Sequence, residues 1–320
     1  MHFKNKSRHK QRSLLSILLV VLLFMTFTHC LCGTISDSSP IQNLTVVEVL
    51  SSSAILKWSP PVTGASGYNV FVFGSPSSEM TVSSTEATLN NLIPGNYYIV
   101  IITANGTPVE ISFNTVPGKI KNLAIVCVTQ NSVSLSWQPP DGNSSAYVIR
   151  ILQFPDFKGN LPLESVTIDG LTPGNFYTFY VSAAVGGSLI EGYNTSISTY
   201  TYPGEIGNLT VSNITTSSML LSWLPPLGNS SSFLIQILQN TTFDMKVASR
   251  FAEISGLQSG NFYTFLVSAV VGETNIQGNI SETSAYTMPG RIKNLIIVCV
   301  TEHTVSLSWQ PPEGNFSSYI

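Results

Sequence analysis

The stretch Ser136-Trp137-Gln138-Pro139-Pro140 returns unchanged at residues 308–312 and with small changes at residues 57–61 and 222–226. The four tryptophans of the 320-residue chain all lie in these stretches, at intervals of 79, 86 and 86 residues. Self-similarity at a fixed long period indicates a tandem array. A period near 86 residues is too long for a helical solenoid repeat and suits a small independent domain. Function is therefore to be sought in the array and not in one pocket.

Within one repeat, residues 204–289, apolar and polar residues alternate in short segments bounded by Pro, Gly, Asn and Ser. Alternation with a period of two predicts half-buried strands, and regularly spaced short strands predict an all-β sandwich. No segment combines a helical period with capping residues. The predicted strands, part of a set of about seven, are Asn208–Ile214, Met219–Trp223, Phe233–Leu238, Phe251–Ile254, Asn261–Val270 and Ser281–Tyr286.

A second recurring marker is a tyrosine six residues after a leucine, at the start of a long apolar strand. It occurs as Leu92 and Tyr98, as Leu171 and Tyr177, and as Leu257 and Tyr263. This spacing is typical of a tyrosine corner, in which the phenol oxygen hydrogen-bonds to nearby backbone.

Each repeat thus has a tryptophan on an early strand, a tyrosine at the corner and no cysteine pair. This combination resembles fibronectin type III domains, and the resemblance covers nearly the whole chain after residue 32. The resemblance implies a tandem array of seven-stranded immunoglobulin-like β-sandwiches. Its expected core aromatic residues are Trp58, Trp137, Trp223, Tyr98, Tyr177 and Tyr263.

Domain boundaries follow from three Pro-Gly pairs, each placed before an Ile-x-Asn-Leu sequence. These pairs predict short, stiff junctions. The predicted domains are repeat one at 38–117, repeat two at 118–203, repeat three at 204–289 and a truncated repeat four at 290–320. About a third of a sandwich cannot close its core, so we expect the sequence to be a fragment of a longer protein.

Residues 1–32 have the pattern of a secretory signal peptide. Five Lys and Arg residues precede an apolar run from Leu14 to Phe27, and small residues stand before Gly33. An uncleaved signal anchor is the alternative, because Leu14–Cys32 is almost long enough to span a bilayer. Either reading predicts that the repeats lie outside the cytosol. No second apolar stretch of that length follows, so membrane attachment would require a segment not present in this sequence.

Without residues 1–32 the chain carries nine Lys and Arg against seventeen Asp and Glu, with no basic stripe. Nucleic-acid binding therefore lacks its electrostatic footprint. The remaining cysteines, Cys127 and Cys299, occupy the same position in repeats two and four, where the other repeats have Glu48 and Asn213. That pattern predicts solvent-facing thiols, either free or paired between molecules.

The residues needed for catalysis are not assembled in the sequence. His303 is the one histidine beyond the targeting segment, and no triad, zinc-ligand spacing or phosphate-binding glycine loop occurs. We therefore expect no catalytic, metal or cofactor site, no cofactor and no small-molecule substrate. The visible chain is expected to be non-enzymatic.

After residue 32 the sequence contains ten Asn-x-Ser/Thr acceptors for N-glycosylation, whereas chance would give about four or five in a chain of this composition. Three of them stand 86 residues apart, in the loop after the double proline. Gly-Asn-Ser is also a good turn sequence, so both explanations stay open. The ten acceptors are Asn43, Asn105, Asn143, Asn194, Asn208, Asn213, Asn229, Asn240, Asn279 and Asn315. A glycan on this loop would block it as a binding surface, so we expect a partner to use another face or a sugar-free loop, such as residues 62–67 of repeat one, which lack this acceptor.

The predicted function is an extracellular protein-interaction array that binds other proteins or matrix components. The short modules with Trp-x-Pro-Pro and Gly-Asn-Ser loops most resemble the ectodomains of receptor-type protein tyrosine phosphatases. That resemblance implies a glycosylated cell-surface receptor, with a membrane helix and a phosphatase domain beyond Ile320. The alternative is a secreted matrix or adhesion protein whose repeats are structural spacers.

Overall fold

The computed structural model describes residues 40–318, apart from Ser188 and Thr274 and the side chains of residues 156–158. The predicted signal peptide at residues 1–32 lies outside the described residues. Within the described part, every regular element is a β-strand and all strand pairs are antiparallel.

Repeat one is a sandwich of a three-stranded sheet, ordered β1-β2-β5, and a four-stranded sheet, ordered β4-β3-β6-β7. Its strands are β1 (Gln42–Val49), β2 (Ala54–Ser59), β3 (Tyr68–Phe73), β4 (Ser78–Val82), β5 (Glu86–Leu89), β6 (Tyr97–Ala104) and β7 (Thr107–Asn114). Buried and less buried residues alternate along β2 and β6, which is the pattern of strands with one face on the core.

Repeats two and three have the same two sheets, ordered β12-β9-β8 with β11-β10-β13, and β16-β17-β20 with β19-β18-β21-β22. Strand β13 also pairs β14 and β15. The strands of repeat two are β8 (Lys121–Val128), β9 (Val133–Gln138), β10 (Ala146–Ile151), β11 (Phe154–Leu161), β12 (Ser165–Ile168), β13 (Phe176–Val185), β14 (Ile190–Glu191) and β15 (Thr195–Tyr200). The strands of repeat three are β16 (Gly207–Ser212), β17 (Ser218–Leu224), β18 (Ser232–Ile237), β19 (Asn240–Val247), β20 (Phe251–Ser255), β21 (Phe262–Val271) and β22 (Ile276–Tyr286).

The predicted array of seven-stranded sandwiches is confirmed, and repeat two adds the two-residue strand β14. The predicted strand Asn208–Ile214 is two residues too long at its end, because Asn213 has a φ of 46° and leaves the β region. Strand β19 was not among the predicted strands. It lies at a sheet edge and begins with the polar residues Asn240, Thr241 and Thr242, which hide its alternation.

Each repeat has its own core, in which the tryptophan packs edge-on against an aromatic ring of the other sheet. The ring centroids are 5.2 Å apart for Trp58 and Tyr68, and 5.3 Å apart for Trp223 and Phe233. Edge-to-face aromatic pairs at such distances are favourable. The indole nitrogens of Trp58, Trp137 and Trp223 are buried without a hydrogen-bond partner, so these three tryptophans stabilise their cores through packing. The relative exposures are 5% for Trp58, 4% for Trp137 and 4% for Trp223.

The tyrosine corner has the expected hydrogen bond in all three repeats. The phenol oxygens of Tyr98, Tyr177 and Tyr263 each accept a bond of 2.9 Å from the backbone N–H five residues earlier. Tyr98 and Tyr177 are fully buried, whereas Tyr263 is only half-buried at the margin of its core.

Repeat four is described as a single pair, β23 (Lys293–Val300) and β24 (Val305–Gln310). The equivalent pair in repeat two, β8 and β9, buries Val133, Leu135 and Trp137. In repeat four Val305 and Leu307 are exposed, because no second sheet covers them among the described residues.

Candidate interaction surface and glycan acceptors

All ten acceptor asparagines are exposed. They lie on loops, at strand ends or on outward-facing strand positions, so their side chains reach solvent without disturbing a core. For several of them, however, the structure supplies a second reason for an asparagine at that position.

Four acceptors have a left-handed backbone, a conformation that asparagine tolerates better than most residues. Asn43 and Asn208 stand at a β-bulge where the first strand of the repeat shifts register. Asn122 and Asn294 have the same conformation at the same place without being acceptors. Of the other two acceptors with this conformation, Asn105 lies in the hairpin turn between β6 and β7, and Asn213 follows the end of β16.

The three acceptors with a spacing of 86 residues meet the preceding repeat. The backbone N–H of Asn143 donates to the carbonyl oxygen of Pro94 at 2.9 Å, and its side-chain nitrogen donates to Asn96 Oδ1 at 3.0 Å. Pro94 and Asn96 belong to the turn before the tyrosine of repeat one. The loop after the double proline, which carries these three glycosylation acceptors, is therefore part of a domain junction.

The matching loop of repeat one has a different neighbour. The side-chain nitrogen of Asn105 donates to the carbonyl oxygen of Gly64 at 2.8 Å. Residues 62–67 contain no acceptor of their own, and Asn105, which contacts them, is itself one of the ten acceptors. Their use as a sugar-free partner surface stays a prediction.

A threonine that the sequence analysis missed secures the turn of each repeat. Thr115, Thr201 and Thr287 are buried, and each hydroxyl donates to the turn carbonyl oxygen of Ile93, Thr172 or Gln258 at 2.6 to 2.7 Å. The same hydroxyl oxygen accepts the backbone N–H of the turn asparagine. The signal was available, because a Thr-x-Pro-Gly sequence recurs at a spacing of 86 residues.

Charged groups on the described surface are sparse, and a few of them form local ion pairs. Lys121 and Asp141 are 2.5 Å apart and link the first strand of repeat two to the loop before Asn143. Lys293 and Glu313 form the equivalent pair in repeat four, and this bond lowers the pKa of the Glu313 carboxyl. The Arg150 and Glu191 side chains join β10 to β14 at 2.6 Å.

Among the described residues, no three His, Cys, Asp or Glu side chains cluster in a way that could hold a metal ion. The same residues contain no helix long and apolar enough to cross a membrane. Cys127 and Cys299 are exposed, as their shared position predicted, and they form no disulfide with each other.

Comparison with known proteins matches the fibronectin type III domain model to residues 39–113, 118–198 and 203–284. The chain is 31% identical over 88% of its length to receptor-type tyrosine-protein phosphatase eta of Gallus gallus, covering 21% of that protein. It is 28% identical over 86% of its length to receptor-type tyrosine-protein phosphatase H of Homo sapiens, covering 26% of that protein.

Tenascin of Gallus gallus is 25% identical over 90% of the chain, which covers 17% of that protein. The chain thus spans about a quarter or less of the length of the curated relatives it matches. The repeated sandwiches, the tyrosine corners and the three matched segments agree with one another. The chain belongs to the fibronectin type III domain family.

Proposed function

We propose that the chain is the extracellular protein-interaction array of a glycosylated cell-surface receptor of the receptor tyrosine phosphatase type. The observation that carries the proposal is the 31% identity to receptor-type tyrosine-protein phosphatase eta of Gallus gallus along 88% of the chain. An array of separate sandwiches suits this role, because each repeat presents its own loops and sheet edges to partners.

The proposed partners are extracellular proteins or matrix components. The sparse, scattered charge supports a protein partner over nucleic acid. Once residues 1–32 are removed, membrane attachment would need a segment outside this sequence, and phosphatase activity would need a domain outside it. The repeats themselves are proposed to be non-catalytic.

The ten acceptor asparagines are proposed to carry N-glycans after export, and residues 1–32 to direct that export and be removed. The exposure of all ten side chains supports the first part. Secretion from a eukaryotic host followed by glycopeptide mass spectrometry measures the occupancy of each asparagine. Sequencing of the secreted amino terminus should find Gly33 first. An amino terminus at Met1 would contradict removal and favour a signal anchor.

A secreted matrix or adhesion protein with structural spacers is the second candidate, favoured by the similarity to tenascin over 90% of the chain. Sequencing the transcript beyond codon 320 separates the two. An apolar stretch of about 20 residues followed by basic residues supports the receptor. A later His-Cys-x5-Arg sequence supports the phosphatase, since its thiolate nucleophile and phosphate-binding arginine need that spacing. Further repeats that end without either would overturn the receptor proposal.

A further inference from the structure

The same backbone contact joins each repeat to the next. The N–H of Asn143 donates to Pro94, the N–H of Asn229 donates to Pro173, and the N–H of Asn315 donates to Ser259. The three distances to the carbonyl oxygen are 2.9, 3.0 and 3.1 Å. One loop of the following repeat therefore meets one turn of the preceding repeat at all three described junctions.

Two glycines make this approach possible. A Cβ added at Gly174 would lie 1.9 Å from the carbonyl oxygen of Asn229, and a Cβ added at Gly228 would lie 2.2 Å from that of Pro173. Both clashes are with backbone, so neither is relieved by a side-chain rotation. The pairs Gly95 with Gly142 and Gly260 with Gly314 show the same mutual exclusion. Only a turn with glycine and a loop with glycine can close to this distance.

Side-chain amides add a second bond beside the glycines. The side-chain nitrogen of Asn229 donates to Asn175 Oδ1, and that of Asn315 donates to Asn261 Oδ1, as Asn143 does to Asn96. Each of these glycosylation-site asparagines thus donates two hydrogen bonds to the same turn of the preceding repeat, one from its backbone N–H and one from its side-chain amide.

A second point of contact lies at the other end of the junction. A Cβ added at Gly272 of repeat three would lie 3.0 Å from the ring of Tyr200 in the last strand of repeat two. Gly186 of repeat two has the corresponding neighbour in repeat one, since a Cβ there would lie 3.3 Å from the side-chain nitrogen of Asn114. Two separated contacts resist a change of angle between domains, whereas a single contact would leave a pivot.

We propose that these contacts form a dedicated joint, which holds successive repeats at a fixed orientation and accepts only a repeat whose loop carries Gly-Asn. The turn that receives it is Pro-Gly-Asn, or Ser-Gly-Asn in repeat three. Asn143, Asn229 and Asn315 serve this joint as clasp residues in addition to being acceptors. The joint is independent of the proposed function, because a receptor array and a matrix spacer would use it alike.

A pair of spin labels across this one joint provides a direct test in the full chain. Cys127 in repeat two and a cysteine introduced by Ser212→Cys in repeat three occupy exposed positions on either side of the joint between these repeats. With Cys30→Ser, Cys32→Ser and Cys299→Ser, spin labels on these two thiols report the distance between the repeats by pulsed electron resonance. The parent chain should give one narrow distance distribution. Gly228→Ala should widen it about twofold, because relative domain motion is the default once an interface is lost.

Gly256→Ala is the matched control. Gly256 has a φ of +77° against +79° for Gly228, but a Cβ there meets nothing within 4 Å. Both variants therefore place alanine in the same unfavourable backbone region, and only Gly228→Ala adds the clash at the joint. The control should keep the narrow distribution of the parent chain.

Asn175→Ala removes the side-chain oxygen that accepts the hydrogen bond from Asn229. It introduces no clash and changes no glycosylation sequence, so it tests the joint if Gly228→Ala unfolds repeat three. It should widen the distribution in the same direction but less. A parent distribution as wide as that of the variants would overturn the proposal. So would a folded Gly228→Ala chain with the parent width, or an unchanged width in Asn175→Ala when Gly228→Ala cannot be measured.

Discussion

Repeats one and two share one fold but differ in the loop that follows their Trp-x-Pro-Pro sequence. In repeat two this loop carries Gly142 and Asn143 and is held by the turn of repeat one. In repeat one a Cβ at Gly64 would meet open space, and the loop is held by Asn105 of the same repeat. The difference shows that the sequence encodes two features separately. The core of each repeat is set by its buried aromatic residues, whereas the contact with the preceding repeat is set by the Gly-Asn pair in this loop.

The largest expected effect concerns the core, where the two repeats should not differ. Trp58→Ala and Trp137→Ala should each lower the unfolding free energy of their own repeat by about 3–5 kcal/mol, as for other buried aromatic truncations. Calorimetry of the secreted chain measures both. A loss below about 1 kcal/mol at either tryptophan would remove it from the core and weaken the assignment of that repeat.

The next effect concerns the buried threonine beneath the turn. Thr201→Val in repeat two leaves the Thr172 carbonyl oxygen and the Asn175 N–H without their partner, which should cost about 1–3 kcal/mol. Thr115→Val in repeat one should cost less, because the Asn96 N–H also donates to the Ile93 carbonyl oxygen at 3.3 Å and these two groups keep each other as partners.

Thr178→Val is a suitable control for both threonine variants, because the Thr178 hydroxyl bonds only the exposed Ser198 hydroxyl on the neighbouring strand. Equal losses in all three variants, measured by denaturant unfolding, would show that the buried bonds to the turn have no special weight.

The smallest effect is a pH dependence that separates repeat two from repeat three. Burial raises the pKa of the Tyr147 phenol above its ordinary value of 10.0, whereas repeat three has Phe233 at the equivalent position. The unfolded chain ionises at the ordinary pKa and the folded chain only above it. Repeat two therefore keeps this contribution below about pH 10 and loses it as the pH rises through the raised value.

Tyr147→Phe should remove this loss without affecting repeat three. Thermal unfolding of the parent and variant chains at neutral and alkaline pH measures the difference. An identical alkaline loss in the Tyr147→Phe chain would show that another group is responsible.

Much of the fold was predictable because its determinants are local. Alternation placed the strands, and the phase of tryptophan and tyrosine gave the sandwich and the corner. Strand β19 was missed because its polar first residues hide the alternation that begins at Phe243, and the end of β16 before Asn213 depends on a φ that composition does not reveal.

The joint was beyond reach of the sequence for a different reason. The sequence Gly-Asn-Ser is compatible with a plain turn, a glycan acceptor or a contact with the preceding repeat. The contact is recognised only from the structure, where Pro94 lies within hydrogen-bond distance of Asn143. The buried threonines could have been noticed from their period, but their role requires the turn that they bond.

Hydrogen exchange at single backbone amides tests the central claim most directly. The N–H groups of Asn143 and Asn229 donate only to the preceding repeat, so they are protected when the joint is closed and exposed when it is open. In the secreted chain we predict that both exchange at least about tenfold more slowly than an unbonded loop amide. Gly228→Ala should abolish the protection of Asn229 while leaving that of Asn143. Exchange of both amides at the rate of an open loop in the parent chain would contradict the account.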